Sequence, residues 1–332
     1  MILIDADVLG RERTGDETYV TNLLRELPRA APELRFAAVT RNPALVPAGV
    51  EPIVLPARLQ EARMAVSLPR LLRRIRPDLA HFQHALPLGW RGRSVVTIHD
   101  LSFEGADSAM GPLDRLTFRL VVPRAARRAN HVVTVSERTK RDIVSRYQVP
   151  AANVTVTLNG VDPTFSAGGA HDGYLLFVGA IHARKNPLAA LDAARAVELP
   201  LVVVGPEKDS VLAGALRAGG ADLRGYVPME ALADLYRGAA ALVMPSRFEG
   251  FGLPVIEAMA CGTPVVAAAE PALEEVAGDA AVYARDGDFG EATRRALADR
   301  GSLSAAGLER AKLFSWAETA RRTAEVYRRV LA

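Results

Sequence analysis

The sequence predicts an α/β protein built from two doubly wound parallel sheets, one in each half of the chain. Short apolar runs of strand length alternate with amphipathic stretches of helix length, which is typical of such sheets. The alternation stops once, at residues 162–173, where glycines and a proline interrupt it, and then restarts. The chain has 332 residues, which fits two domains of roughly 150 residues each. We therefore expect two similar domains joined by a linker at 162–173.

The predicted strands of the first half are apolar runs of four to six residues, which favours burial. They lie at 1–6, 36–40, 79–82, 94–98, 131–135 and 154–158. The stretches between several of them carry apolar residues at helical spacing and predict helices. These helices lie at 18–27, 68–75, 113–128 and 137–147. Ser136 stands directly before the last of them and is interpreted as its N-cap.

The second half repeats the pattern after the linker. Its predicted strands lie at 174–178, 201–204, 241–244 and 264–267, and its predicted helices at 187–197, 229–237 and 254–260. The chain ends in a helical stretch at 315–331, where Trp316 and Tyr327 are available for packing. We expect an N-terminal domain at 1–165, a C-terminal domain at 166–314 and a final helix at 315–332 that packs back on the N-terminal domain. Open parallel sheets bind ligands at the carboxyl ends of their strands, so the loops of both domains should face a central cleft.

The composition excludes several classes of protein. Hydrophobic residues make up 49% of the chain and charged residues 24%, as in ordinary globular proteins. No apolar run approaches the ~20 residues of a membrane-spanning helix, and the first residues lack the basic region of a signal peptide. Cys261 is the only cysteine, which rules out an intramolecular disulfide and fits a cytoplasmic location. One cysteine and six scattered histidines also offer no metal-ligand spacing, so no metal is expected.

The charge is distributed unevenly. Residues 1–165 carry 23 Lys and Arg against 17 Asp and Glu, a net +6, whereas residues 166–332 carry 18 against 21, a net −3. This balance is too weak to predict a nucleic-acid partner, and no aromatic residues interleave with the arginines. It is compatible with an anionic membrane surface as a partner. Two groups of arginines, one beside the apolar stripe at 68–75 and one at 115–128, are either membrane contacts or ordinary solvated faces.

The strongest motif lies at residues 244–266, which predict a strand end, a Gly-rich loop, a helix and a further strand. Pro254 suits the first helical position, so the N–H groups of Gly252 and Leu253 are expected at the positive helix end, where phosphates bind. Glu249 lies in the loop and Glu257 one turn into the helix, so the two carboxylates should flank this anion site. The alternative is that both are ordinary solvated charges.

This motif resembles the E-x7-E segment of the retaining, nucleotide-sugar-dependent glycosyltransferases of family 4, which have the GT-B fold. Further stretches resemble the same family in the same order along nearly the whole chain. They are Ile98-His99-Asp100, Val135-Ser136-Glu137, Asn159-Gly160-Val161-Asp162, Val178-Gly179 through Arg184-Lys185-Asn186, and Gly225-Tyr226-Val227-Pro228. The resemblance implies a GT-B fold with two Rossmann-like domains, and transfer of a hexose from a nucleoside diphosphate sugar. It favours GDP-mannose over a UDP-glucose type donor, and it implies no cofactor and no metal.

The resemblance also implies roles for residues of the second half. Glu249 would hold hydroxyls of the donor sugar, and Glu257 would accept hydrogen bonds from the nucleotide ribose. The diphosphate would lie against the backbone of Phe251, Gly252 and Leu253, with Arg184 and Lys185 as its cations. Ala180 departs from the family, since many members have an arginine there. Tyr226 and Val227 would line the nucleobase pocket, with a place in the plain core as the alternative.

Three residues of the first half complete the predicted site. His99 follows the strand at 94–98, and the resemblance implies that it contacts the donor sugar. Asp100 would orient this loop or touch the acceptor. Gly15 corresponds to a flexible loop that approaches the phosphates and the acceptor, although Asp16 and Glu17 depart from the family's Gly-Ile-Gly form.

Two other functions compete with this one. A nicotinamide-dependent enzyme would need Gly-x-Gly-x-x-Gly after a strand, and neither 3–15 nor 178–186 supplies it. A GT-B nucleotide-sugar epimerase, or a nucleotide-sugar-binding protein without catalytic activity, remains open. No motif identifies the acceptor.

Overall fold

The structure is a computed structural model that describes residues 1–11, 14–56, 59–105, 110–169 and 173–332. Residues 170–172 of the predicted linker lie outside the described residues. The chain divides into two compact units. Unit 1 comprises Met1–Leu101, Pro112–Gly160 and Ser315–Ala332, and unit 2 comprises Ser102–Gly111 and Val161–Phe314.

Thirteen strands are present within the described residues. They are β1 (Ile2–Asp5), β2 (Phe36–Thr40), β3 (Val50–Val54), β4 (Leu79–Gln83), β5 (Ser94–Ile98), β6 (His131–Thr134), β7 (Val154–Val156), β8 (Tyr174–Val178), β9 (Leu201–Val204), β10 (Asp222–Gly225), β11 (Ala239–Met244), β12 (Val265–Ala268) and β13 (Ala281–Ala284).

The same residues form thirteen α-helices. They are α1 (Thr14–Ala30), α2 (Gln60–Ala62), α3 (Leu68–Ile75), α4 (Pro112–Arg128), α5 (Glu137–Tyr147), α6 (Pro187–Ala196), α7 (Ser210–Ala218), α8 (Met229–Gly238), α9 (Leu253–Ala260), α10 (Pro271–Ala277), α11 (Phe289–Ala298), α12 (Arg300–Ala311) and α13 (Trp316–Leu331). None of them is long and apolar enough to span a membrane.

Each unit contains one parallel sheet. The strand order is β3-β2-β1-β4-β5-β6-β7 in unit 1 and β10-β9-β8-β11-β12-β13 in unit 2. The central strands are buried along their whole length, as β5 and β11 show, because helices cover both faces. These observations confirm the predicted fold class of two doubly wound parallel sheets.

The structure places α13 in unit 1. There its Tyr327 hydroxyl lies 2.6 Å from Nδ1 of His81 on β4, and the rings of Trp316 and Tyr19 meet edge to face. Tyr19 belongs to α1, so the last helix packs on the first one and on the sheet. The side chain of Ser136 accepts a hydrogen bond from the Thr139 backbone, which confirms the predicted N-cap of α5.

One predicted placement in this unit is wrong. The first helix was expected from residue 18, with Gly15 in a loop before it, but α1 begins at Thr14 and contains Gly15 in its first turn. Acidic residues are favoured at this end of a helix, and Asp16 and Glu17 lie in that turn. The two acidic residues that depart from the family pattern therefore extend the helix.

Candidate functional site

Two neighbouring strands bring the two predicted halves of the phosphate site together in unit 2. Strands β8 and β11 pair in parallel, so their carboxyl ends lie side by side. The segment 179–186 follows β8 and the segment 245–252 follows β11. The backbone N–H of Arg247 donates to the carbonyl of Arg184 at 2.9 Å, which links the two segments directly. The Glu249 loop and the Arg184–Lys185 pair are therefore neighbours.

A buried ion pair joins these loops. The Nζ atom of Lys185 lies 2.5 Å from Oε1 of Glu249, and the two side chains are only 14% and 8% exposed. Two charges removed from water to this degree stabilise each other only in close contact. A cation close to a helix N-terminus opposes the helix dipole unless an anion lies beside it, and here the chain itself supplies that anion in Glu249.

Arg184 points to the same loop as Lys185. Its Nη1 donates to the carbonyl of Phe248 at 2.6 Å, and its guanidinium carbon lies 5.9 Å from the Phe248 ring centre. The Nε atom of Arg184 is buried and has no hydrogen-bond partner. A polar ligand atom close to this guanidinium would satisfy that donor.

The N-terminus of α9 lies directly after this loop. Gly252 has φ 108° and ψ 52°, and a Cβ there would lie 2.8 Å from Leu273, so the position requires glycine. Helix α9 then begins at Leu253, with Pro254 in its first turn. First-turn N–H groups have no acceptor within the helix, and they concentrate roughly half a positive charge there. Phe251 is buried and its ring meets that of Phe314 edge to face, which anchors the loop.

Glu257 lies one turn further along α9. The hydroxyl of Tyr236 donates to its Oε2 at 2.8 Å. Burial raises the pKa of Glu257 to about 7, against the effect of this hydrogen bond, which lowers it. The carboxyl group therefore holds its proton to a higher pH than an exposed glutamate does. A ligand hydroxyl that donates to it would favour the ionised form.

Tyr226 and Val227 follow β10, which is separated from β8 by β9 alone. Tyr226 is largely exposed, so it is not a core residue and the alternative of a place in the plain core is wrong for it. Val227 is partly buried. An exposed aromatic ring at the carboxyl end of a sheet is available to cover a planar group.

In unit 1, His99 stands at the carboxyl end of β5 with Asp100 beside it. Its Nε2 lies 3.1 Å from Oε1 of Gln83 and 3.9 Å from Oδ1 of Asp16, and its ring meets Tyr19 edge to face. Burial lowers the pKa of His99 to about 4, with the nearby Asp16 carboxylate opposing this shift. The imidazole is therefore neutral at pH 7 and can exchange hydrogen bonds with an uncharged hydroxyl.

Several residues close to the predicted site residues were not predicted from the sequence. Asp16 follows Gly15, and its Oδ2 lies 3.8 Å from Nε2 of His84, which comes directly after β4. His84 could have been found, because it follows its strand just as His99 follows β5. Tyr236 could not, because it lies 21 residues from Glu257 along the chain. His182 precedes the cation pair, and burial together with those cations lowers its pKa to about 4.

Asp16, His84 and His99 form a group of potential metal ligands within the described residues. Their donor atoms all lie within 4.8 Å of one another. Two imidazoles and a carboxylate are ligand types that zinc accepts. The expectation that the reaction needs no metal stays a prediction.

Two family models match most of the chain. Residues 13–165 match the model of "Glycosyltransferase Family 4", and residues 168–310 match that of "Glycosyl transferases group 1". The chain is 30% identical to O-antigen chain mannosyltransferase B of Escherichia coli over 268 residues, which cover 71% of this chain and 70% of the relative. It is 33% identical to D-inositol 3-phosphate glycosyltransferase 2 of Catenulispora acidiphila over 304 residues, covering 76% and 70%. Other curated relatives are matched over as little as 56% of their length.

A solved structure matches the whole fold. Sucrose-phosphate synthase from Thermosynechococcus elongatus superposes with a TM-score of 0.78 at 21% identity, covering 99% of this chain and 98% of that one. The fold, the site and these matches together define a nucleotide-sugar-dependent glycosyltransferase with the GT-B fold. More specifically, the chain belongs to glycosyltransferase family 4.

Proposed function

We propose that this protein transfers a hexose from a nucleoside diphosphate sugar to an acceptor hydroxyl, with retention of configuration at the anomeric carbon. The favoured donor is GDP-mannose, and the product belongs to glycan, polysaccharide or glycolipid synthesis. The observation that carries the proposal is the Lys185–Glu249 ion pair beside the N-terminus of α9. The cation proposed for the diphosphate and the carboxylate proposed for the sugar hydroxyls are joined by one hydrogen bond, which supports the proposal. The E. coli relative, which is named a mannosyltransferase, supports the choice of sugar.

The charges of the site suit a departing diphosphate. Arg184, Lys185 and the N–H groups at Gly252 and Leu253 supply positive charge where the leaving group gains negative charge. When a diphosphate binds, Lys185 can exchange the Glu249 carboxylate for a phosphate oxygen. Glu249 is then available to accept hydrogen bonds from the sugar. The leaving phosphate itself takes the acceptor proton, so the protein contributes orientation and charge stabilisation.

The remaining predicted residues have the following proposed roles. Glu257 accepts hydrogen bonds from the ribose, and Tyr226 with Val227 covers the base. In unit 1, His99 contacts the donor sugar through its neutral imidazole, while Asp100 and Gly15 belong to the acceptor side. No cofactor takes part in this scheme. We also propose a cytoplasmic protein that touches the anionic inner surface of a membrane, since glycolipid acceptors reside there.

The proposal is tested by offering the purified protein GDP-mannose and UDP-glucose, each with and without a mannose-terminated glycolipid acceptor. Release of GDP that depends on the acceptor, with an α-linked product by NMR from the α-linked donor, is the expected result. Glu249→Gln serves as the inactive control. A β-linked product would refute retention. Conversion of the donor sugar without acceptor would indicate the epimerase, and binding without any turnover would indicate a nucleotide-sugar-binding protein without catalytic activity.

A further inference from the structure

Helix α4 of unit 1 exposes an apolar stripe. Leu113, Leu116 and Leu120 are 76%, 56% and 65% exposed. They are spaced three and four residues apart, so they lie on one face of the helix. The opposite face is buried through Val122 and its neighbours. Three leucines side by side in water form the kind of patch that marks an interaction surface.

The same face becomes basic toward the end of the helix. Arg124 and Arg128 follow Leu120 at intervals of four residues, and both are exposed. The whole helix carries five arginines and one acidic residue, Asp114, a net +4. We call the three leucines with Arg124 and Arg128 the α4 face. Leucines that enter the acyl boundary beside arginines that meet phosphates are the pattern of a helix lying in a membrane interface.

Helix α3 provides an internal comparison. It is also rich in arginine, but its leucines at 68, 71 and 72 are buried in the core of unit 1. Only charged side chains such as Arg70, Arg73 and Arg74 are left exposed there. A face of that kind is ordinarily solvated and has nothing to insert into a bilayer. Of the two arginine-rich helices, only α4 therefore combines exposed leucines with arginines, as docking on lipid requires.

We propose that the α4 face docks on the surface of a bilayer that contains anionic phospholipids. The inference rests on the membrane contact proposed above and identifies the surface that makes it. Charge complementarity identifies the bilayer as the partner. The arginines of this helix, with its net charge of +4, match anionic phosphate headgroups, and its exposed leucines match the acyl chains beneath them.

The position of the face suits a lipid-linked acceptor. The ring of Phe118, on α4, lies 5.8 Å from that of His84, which in turn lies 5.3 Å from the ring of His99. A bilayer held by this helix would thus present the headgroup of a glycolipid close to the residue assigned to the donor sugar.

The test measures binding of the full chain to vesicles by co-sedimentation, without donor or acceptor, so that its outcome is independent of sugar transfer. Vesicles of phosphatidylcholine alone are compared with an equimolar mixture of phosphatidylcholine and phosphatidylglycerol. The main variant combines Leu113→Ser, Leu116→Ser and Leu120→Ser. Because these side chains are exposed, the fold should persist, which circular dichroism checks. The matched control combines Val211→Ser and Leu313→Ser, which are 80% and 63% exposed in unit 2.

We expect the wild type and the control to bind the anionic vesicles, and the leucine variant to bind at least about tenfold more weakly. Arg124→Gln with Arg128→Gln should weaken binding and reduce its sensitivity to salt. Arg70→Gln with Arg73→Gln and Arg74→Gln on α3 should bind within about twofold of the wild type. The proposal is overturned if the leucine variant binds as the wild type does, or if only the α3 variant loses binding. It is also overturned if the wild type ignores vesicles and instead forms a dimer that the leucine variant abolishes, since a second copy would then occupy the face.

Discussion

Lys185→Ala should destabilise unit 2 when no ligand is added, because it removes the ammonium group that contacts the buried Glu249 carboxylate. In the structure the two charged groups are 2.5 Å apart, and the Glu249 side chain is only 8% exposed. Removing one member of a buried ion pair typically costs ~3–5 kcal/mol. Lys185 retains some contact with water, so we expect about 3 kcal/mol. Replacing both members, as in Lys185→Met with Glu249→Gln, should cost less than about 1 kcal/mol, since no buried charge remains.

Urea unfolding followed by circular dichroism measures the effect, and the chain offers two internal controls. Lys312 and Glu309 are also 2.5 Å apart, but their side chains are 68% and 73% exposed, so Lys312→Ala should cost at most about 0.5 kcal/mol. The two tryptophans, Trp90 and Trp316, both lie in unit 1. Their fluorescence therefore reports on unit 1 while circular dichroism reports on both units.

The double-mutant cycle of Lys185→Met, Glu249→Gln and the variant that combines them decides whether the reasoning holds. A coupling energy of about 2 kcal/mol or more between positions 185 and 249 would agree with the buried pair. The reasoning is refuted if both single variants unfold at the wild-type urea concentration and their effects add. Loss of stability in Lys185→Ala that the second substitution fails to recover would show that the lysine supports the fold through its aliphatic chain instead.

Four further predictions concern ligands and pH. Glu249→Gln should lower turnover on the order of 10²–10³-fold while nucleoside diphosphate affinity stays the same or rises, because the diphosphate no longer competes with Glu249 for Lys185, and near-normal turnover would remove Glu249 from the donor sugar. By calorimetry, Lys185→Ala should weaken nucleoside diphosphate binding by ~1.5–3 kcal/mol and nucleoside binding far less, whereas equal losses would contradict a phosphate contact. Burial raises the pKa of Glu257 from 4.5 to about 7, so its neutral form stabilises the fold at low pH and this contribution is lost as pH rises through that window. In thermal melts, Glu257→Gln should not show this loss of stability with rising pH. If the stability of the variant and of the wild type depends on pH in the same way, the raised pKa of Glu257 is contradicted. Finally, turnover should persist in EDTA, because Arg184, Lys185 and the α9 N-terminus supply the positive charge, and a loss that Mg²⁺ or Zn²⁺ restores would disprove this.

The central strands of both sheets could be predicted from the sequence, whereas three of the four edge strands in the described structure, β3, β10 and β13, could not. Strands β2, β5, β8 and β9 have the predicted bounds, because a buried parallel strand needs an unbroken apolar run. Strand β3 was missed, since it lies at the sheet edge and its residues are mostly exposed, with Pro52 among them. Strand β10 occupies the edge of the other sheet and was missed for the same reason.

Helices were missed where little of them is buried or where alanine dominates. Helix α7 buries only Ala213 and Leu216, which is too few residues to produce a helical pattern in the sequence. Helices α10, α11 and α12 pack through small residues such as Ala272, Ala296 and Gly307. Small side chains allow close packing but produce little contrast between the two faces of a helix.

The site could be predicted where its chemistry lies within one short segment. The loop that carries Glu249 and the start of α9 are continuous in sequence, so Gly252 and Pro254 indicate an anion site by themselves. Contacts between distant segments require the fold. The hydrogen bond from Tyr236 to Glu257, for example, spans 21 residues and depends on the packing of α8 against α9.

The Lys185–Glu249 pair changes how the proposed site has to work. From the sequence, the lysine is expected to bind phosphate and the glutamate to bind sugar, yet in the structure the two side chains are paired with each other. In the proposed scheme a diphosphate takes Lys185 from Glu249, so its net affinity for the lysine is smaller than an unpaired ammonium would provide. In return, the carboxylate becomes available to the sugar at the moment when the phosphate takes the lysine. Recognition of the sugar would then depend on recognition of the diphosphate, because a free sugar brings no phosphate to release Glu249.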